Sequence, residues 1–146
     1  MSAELPTISF VDTNILVYAY DRSAEEKHSI ALRLVEQCWE NESGCVSLQV
    51  LQEFFVTVTQ KIVKPLDHQT ARQILADLAH WRLHIPEISD QLQAIDFKQD
   101  YRLSFWDAMI VQSASHMGCK QLLSEDLGHE QKYGDVQVIN PFKGSI

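Results

Sequence analysis

The sequence predicts an α/β fold: three layers, with a mainly parallel central sheet flanked by helices. Short apolar runs rich in β-branched residues alternate with longer stretches of helical periodicity. The stretches between runs are long enough to carry a chain back across a sheet, which parallel neighbours require. No Pro- or Gly-rich linker interrupts the 146 residues, so one domain over residues 1–146 is expected.

Taken in order, Ile8-Ser9-Phe10-Val11, after Pro6, reads as a buried strand ending at Asp12, with a short helix from Asn14 to Tyr20. Ser23-Ala24-Glu25-Glu26 has the form of a capping box ahead of a long helix to about Glu42, with Ile30, Leu34, Val35 and Cys38 on its inner face. Gly44-Cys45-Val46 is a second strand. Ser47 caps a helix from about Leu48 to Ile62, whose expected core stripe is Leu48, Leu51, Phe55, Val58 and Ile62. Lys64-Pro65-Leu66-Asp67 breaks it, and Asp67 caps the next helix, to about His80, with Ile74, Leu75 and Leu78 inward. Leu83-His84-Ile85-Pro86 predicts a third strand. Ser89 starts a helix through Leu92, Ile95 and Phe97. A last helix, capped by Ser104, runs to His116 and stops at Gly118. Gln121-Leu122-Leu123 and Val136-Gln137-Val138-Ile139 are the fourth and fifth strands.

Hydrophobic residues make up 45% of the chain, enough to bury roughly two thirds of the unfolded surface without covalent staples. Cys38, Cys45 and Cys119 are odd in number and form no C-x-x-C, so free buried thiols are expected. No basic leader or membrane-length apolar run is visible, which implies a cytoplasmic protein with no membrane partner. The formal net charge of −8 argues against a broad electrostatic clamp on nucleic acid. It leaves room for an enzyme that meets phosphates through metal ions, or for a basic partner.

Four carboxylates stand out. Asp12 and Asp126 each lie just past an apolar strand, with Thr13 or Ser124 beside them. Strands of a parallel sheet end on one side, where open α/β sheets place ligands. Glu53 and Asp107 fall in early turns of helices that start from that side, so all four can overhang one crevice. Clustered carboxylates repel and would take up protons unless a cation lay between them. All-oxygen ligation suits Mg²⁺ or Mn²⁺ rather than zinc. Each residue also has a plain structural reading. Asp107 completes Ser104-x-x-Asp107, a helix cap; Glu53 fits a solvated helix face; Asp12 and Asp126 fit turns or caps.

The ordered set Val11-Asp12-Thr13-Asn14, Gln52-Glu53-Phe54, Phe105-Trp106-Asp107-Ala108 with Ala114, and Leu123-Ser124-Glu125-Asp126 resembles the PIN-domain family. Within it, the likeness is to VapC-type toxins of toxin–antitoxin pairs, and it extends to the ending Val138-Ile139-Asn140-Pro141-Phe142. The resemblance implies an acidic quartet of Asp12, Glu53, Asp107 and Asp126, supported by Asn14, with Ser124 as the small hydroxyl before the last Asp. It implies a Mg²⁺- or Mn²⁺-dependent endoribonuclease, often a homodimer, held inactive by a small antitoxin protein. On this reading Asp12 and Asp107 ligate metal directly. Glu53 and Asp126 do so directly or through water, or orient the attacking hydroxide. Thr13, Asn14 and Ser124 are donors that fix the carboxylates. Glu125 adjoins Asp126, and the S-x-D pattern favours Asp126.

Two other functions compete. A fold that keeps the acidic pocket can serve as a catalytically silent interaction module. Asp12-Thr13-Asn14 is also faintly similar to the strand-end Asp of haloacid-dehalogenase-like phosphatases, but their second Asp and lysine motif are missing. No P-loop or G-x-S-x-G pattern is present. His80 and His84 are four apart, yet His84 falls in a strand; His28, His68, His116 and His129 show no partner spacing. Trp39, Trp81 and Trp106 read as core or half-buried residues. Arg22, Lys27, Lys61, Lys64 and Arg102 are the cations nearest the crevice in sequence, with solvated surface as their default role.

Overall fold

The computed structural model describes residues 7–143. Pro6, the expected break before the first strand, lies outside them. The elements run β1 (Ser9–Val11), α1 (Thr13–Tyr20), a 3₁₀ turn (Arg22–Ala24), α2 (Glu26–Asn41), β2 (Gly44–Ser47), α3 (Leu48–Gln60), α4 (His68–Leu78) and β3 (Arg82–His84). They continue through α5 (Ile88–Tyr101), α6 (Phe105–His116), β4 (Gln121–Leu123), β5 (Lys132–Tyr133) and β6 (Val136–Ile139). One sheet of order β3-β2-β1-β4-β6-β5 results, parallel except for β5.

Topology follows from crossover handedness. The chain steps outward from β1 to β2 to β3 with α1–α4 in the connections, then returns through α5 and α6 to β4 on the far side of β1. Right-handed crossovers moving in opposite directions put their helices on opposite faces. Accordingly α1 packs on α2 and α3, α3 on α4, and α5 on α6. The direction reverses between β1 and β4, in register from Ser9↔Gln121 to Val11↔Leu123. Their ends flank the topological switch point.

β1 is buried along its whole length, and its residues Phe10 and Val11 join Ile15, Leu16, Val46, Phe54 and Leu122 in one core. Gly44 is required at β2, because a Cβ there would lie 2.5 Å from the Trp81 ring. Cys38, Cys45 and Cys119 are free and buried, as expected. No helix among the described residues is long and apolar enough to cross a membrane.

Four local expectations are corrected. Ser23 does not open α2: it lies in the 3₁₀ turn, where its amide and hydroxyl both donate to Asp21 Oδ1, and Glu25 precedes the helix at φ 56°. The buried stripe of α3 is Val50, Leu51, Phe54 and Val58, rotated from the predicted one and leaving Leu48 exposed. α5 starts at Ile88, not Ser89, and buries Asp90 and Ala94 while Leu92 (59% exposed) and Ile95 face outward. The side chain of Asp90 accepts from the Glu87 amide at 2.8 Å, and that cap sets the helix register. β3 ends at His84, leaving Ile85 exposed beyond it. The β5–β6 hairpin was not predicted. Its two-residue turn places Gly134 at φ 60° in the first central position, the glycine slot of a type II′ turn.

Candidate active site

β1 ends at Asp12, a residue only 7% exposed whose carboxylate accepts two hydrogen bonds. Its Oδ1 accepts from the Thr13 amide at 2.7 Å, capping α1. Its Oδ2 accepts from the Ser124 hydroxyl at 2.7 Å, tying β1 to the end of β4. Burial drives its pKa up to about 6 from an ordinary 3.8; the Ser124 and Thr13 hydrogen bonds oppose this, and the charges of Asp126 and Glu53 add to it.

The other predicted residues, Asp107 excepted, gather around it. Thr13 Oγ1 donates to Glu53 Oε1 at 3.2 Å, and Asn14 Nδ2 donates to Asp126 Oδ2 at 3.0 Å. Asn14 Oδ1 accepts from the Glu125 amide, and Ser124 Oγ accepts from the Asp126 amide. Glu125 itself turns away. It pairs with Lys27 and accepts from the Tyr18 hydroxyl at 2.7 Å; burial opposes its ionisation, but these two partners hold its pKa below the usual range. The geometry therefore leaves Asp126, not Glu125, on the crevice.

Asp107 is the outlying member. It sits in the first turn of α6, where its amide donates to the capping Ser104 hydroxyl at 3.1 Å, and its carboxylate makes no hydrogen bond to the other three. Burial, then the Asp107 charge, raises the pKa of Tyr133. Gln49 links that turn to the cluster by donating to Glu53 Oε1 and to the Trp106 carbonyl, each at 3.3 Å. Gln49 went unremarked in the sequence, although its i, i+4 spacing to Glu53 signals the contact. Trp106 is 64% exposed, against the expectation of a core or half-buried ring. Among the predicted cations, Lys27 is engaged with Glu125, and no Lys, Arg or His of the described residues forms an ion pair with Asp12, Glu53, Asp107 or Asp126.

A parallel sheet carrying uncompensated carboxylates at its switch point defines the class of domain. The PIN domain model matches residues 9–134, and the chain belongs to that family. Three solved structures are similar in fold. A toxin–antitoxin complex from Klebsiella pneumoniae matches at 18% identity and TM-score 0.69, covering 92% of this chain and 98% of that one. VapC20 of Mycobacterium tuberculosis, described as a sarcin–ricin-loop-cleaving toxin, matches at 20% identity and TM-score 0.61, covering 81% and 89%. FitAcB of Neisseria gonorrhoeae matches at 13% identity and TM-score 0.60, covering 93% and 99%. No curated protein matches the chain.

Proposed function

We propose that this chain is a Mg²⁺- or Mn²⁺-dependent endoribonuclease and the toxin of a toxin–antitoxin pair. The observation that carries this reading is Asp12: a buried carboxylate, with Asp126 and Glu53 near enough to raise its pKa, and no cationic side chain of the described residues paired to any of them. Such an arrangement is costly for the protein alone and suits a hard divalent cation with oxygen ligands.

On this reading Asp12 and Asp107 hold the ion, with Glu53 and Asp126 completing the shell directly or through water. A bound Mg²⁺ or Mn²⁺ supplies acidity to a water and charge to the phosphate oxygens. Ser124 and the Thr13 amide fix both oxygens of Asp12, Asn14 fixes Asp126, and Thr13 with Gln49 fixes Glu53. Glu53 and Asp126 are both exposed, and on this reading they would pass a proton from the attacking water to solvent. Trp106 offers an exposed aromatic face at the rim for an unstacked base.

The antitoxin reading draws on the toxin–antitoxin complex among the similar structures. An arginine or lysine from that partner, reaching Asp12, would replace the metal's charge. Ile88, Leu92 and Ile95 form an exposed apolar stripe along α5, which supports a homodimer or partner contact. A cytoplasmic location fits an RNA substrate.

The test is incubation of the purified chain with total cellular RNA in Mg²⁺, in Mn²⁺ and in chelator, with mapping of cleaved ends. Discrete cuts that vanish in chelator are expected; RNA left intact in both metals would refute the nuclease, and cuts that persist in chelator would refute its metal dependence. Metal affinity should also depend on pH. Asp12 must lose its proton to bind, so affinity should fall about tenfold per unit below pH 6 and level off above it, read by calorimetry.

A further inference from the structure

On the same rim of the sheet as the crevice, two strands away, the edge strand ends in a second cluster that the proposed nuclease chemistry does not use. His84 is the last residue of β3, in register with Ser47 of β2, and is 4% exposed. Asp90, on the first turn of α5, points its carboxylate between two imidazoles. His84 Nε2 lies 3.2 Å from Oδ2, and His116 Nδ1, at the end of α6, lies 3.3 Å from Oδ1. The two rings stack at 4.4 Å with 21° between their planes. The three donor atoms lie within 4.8 Å of one another, the one such grouping of three or more histidine, cysteine or carboxylate donors among the described residues.

We propose that His84, Asp90 and His116 form a binding site for a divalent transition metal, with Zn²⁺ as the ion that fits it best. Two imidazoles and one carboxylate are a borderline-soft set that favours Zn²⁺ over Mg²⁺. With bonds of about 2.0–2.1 Å at tetrahedral angles, two ligand atoms on one zinc stand roughly 3.3 Å apart. Each nitrogen–oxygen separation is close to that edge, with the two imidazoles meeting different oxygens of Asp90, His84 at Oδ2 and His116 at Oδ1.

The surroundings are built for ligation. His84 Nδ1 is 2.7 Å from the Ser113 hydroxyl, the outer hydrogen bond that orients a metal-bound imidazole. In the tautomer that donates Nδ1–H to Ser113, the Nε2 lone pair is directed at Asp90, where a cation can take the place of the proton that otherwise joins them. Asp90 is held rigidly by the Glu87 amide and by Gln112 Nε2, each donating at 2.8 Å, one to each oxygen. His116 keeps 51% of its side chain exposed, so its ring has room to swing out of the stack and aim Nδ1 at an ion shared with His84. An ion there would join β3, α5 and the end of α6, the helix that carries Asp107.

The test is titration of the full chain with Zn²⁺ in millimolar Mg²⁺, by calorimetry, with Co²⁺ as a spectroscopic substitute. The wild-type chain should bind one Zn²⁺ at this site, and Co²⁺ should give the visible bands of a four-coordinate centre. His116→Gln, at a half-exposed position, should weaken Zn²⁺ at least tenfold and abolish those bands while leaving the far-UV spectrum of the fold in place. Asp12→Asn should leave both unchanged. Failure of the wild-type chain to bind Zn²⁺, or His116→Gln binding as the wild type does, would overturn the site. So would Zn²⁺ binding lost in Asp12→Asn and kept in His116→Gln, which would assign the ion to the crevice. None of these outcomes bears on RNA cleavage.

Discussion

Asp12→Asn should abolish RNA cleavage and stabilise the metal-free protein at the same time. The activity side follows from the proposed metal: an amide cannot supply the charge, and loss of several kcal/mol of charge stabilisation corresponds to about a thousandfold in rate. The stability side follows from the raised pKa. In the folded chain Asp12 keeps its proton to about pH 6, while an unfolded aspartate releases it near 3.8. The protonated form therefore stabilises the fold fully below the unfolded value, and this contribution is lost as pH rises toward 6. By pH 7 the deficit is about 3 kcal/mol, an upper figure for a shift of this size. Asn removes the charge and keeps the size, so its melting temperature at pH 7 without metal should exceed that of the wild type. Cleavage assays and thermal melts on the same preparation check both halves. A variant that cleaves normally refutes the role of Asp12; one that melts lower than wild type refutes the buried-charge account.

Phe54→Ala should have the opposite signature. Phe54 is fully buried on α3, edge-on to Tyr20 with ring centroids 5.6 Å apart, in the core that supports the neighbouring Glu53. Deleting a buried ring costs about 3–5 kcal/mol, the lost transfer energy plus the cavity. Denaturant unfolding should show the midpoint falling by that equivalent, with metal binding per folded molecule largely kept. A loss under 1 kcal/mol would mean that the site collapses around the gap.

The contrast between these positions explains what was legible in the sequence. Strand ends and helix caps are local signals: Asp12 after Phe10-Val11, Ser47 before α3, Asp67 before α4 and Ser104 before α6 sit where residue type and periodicity place them. The parallel order followed from helical lengths between apolar runs. What failed was rotation and partnership. α3 turned a different stripe inward and α5 exposed Leu92 and Ile95, because packing of two helical layers selects one of several apolar faces. His84, Asp90 and His116 are separated by 6 and 26 residues, with no shared periodicity, so only the fold brings them together. Asp126 over Glu125 rested on a pattern. Lys27 and Tyr18, from α2 and α1, supply the physical reason by taking Glu125.

The hydrogen bonds from Ser124 to Asp12 and from Asn14 to Asp126 each span 112 residues. Contacts of such long range close a long loop and are slow to form. Synthesis proceeds from the N-terminus, so a ribosome-bound chain that has not yet reached β4 carries Asp12 and Glu53 without Ser124 or Asp126. Under the nuclease reading, the acidic cluster of a nascent chain is incomplete until β4 and the residues just after it have been made. Activity on that reading begins only when the segment from β4 through Asp126 has been made and docked.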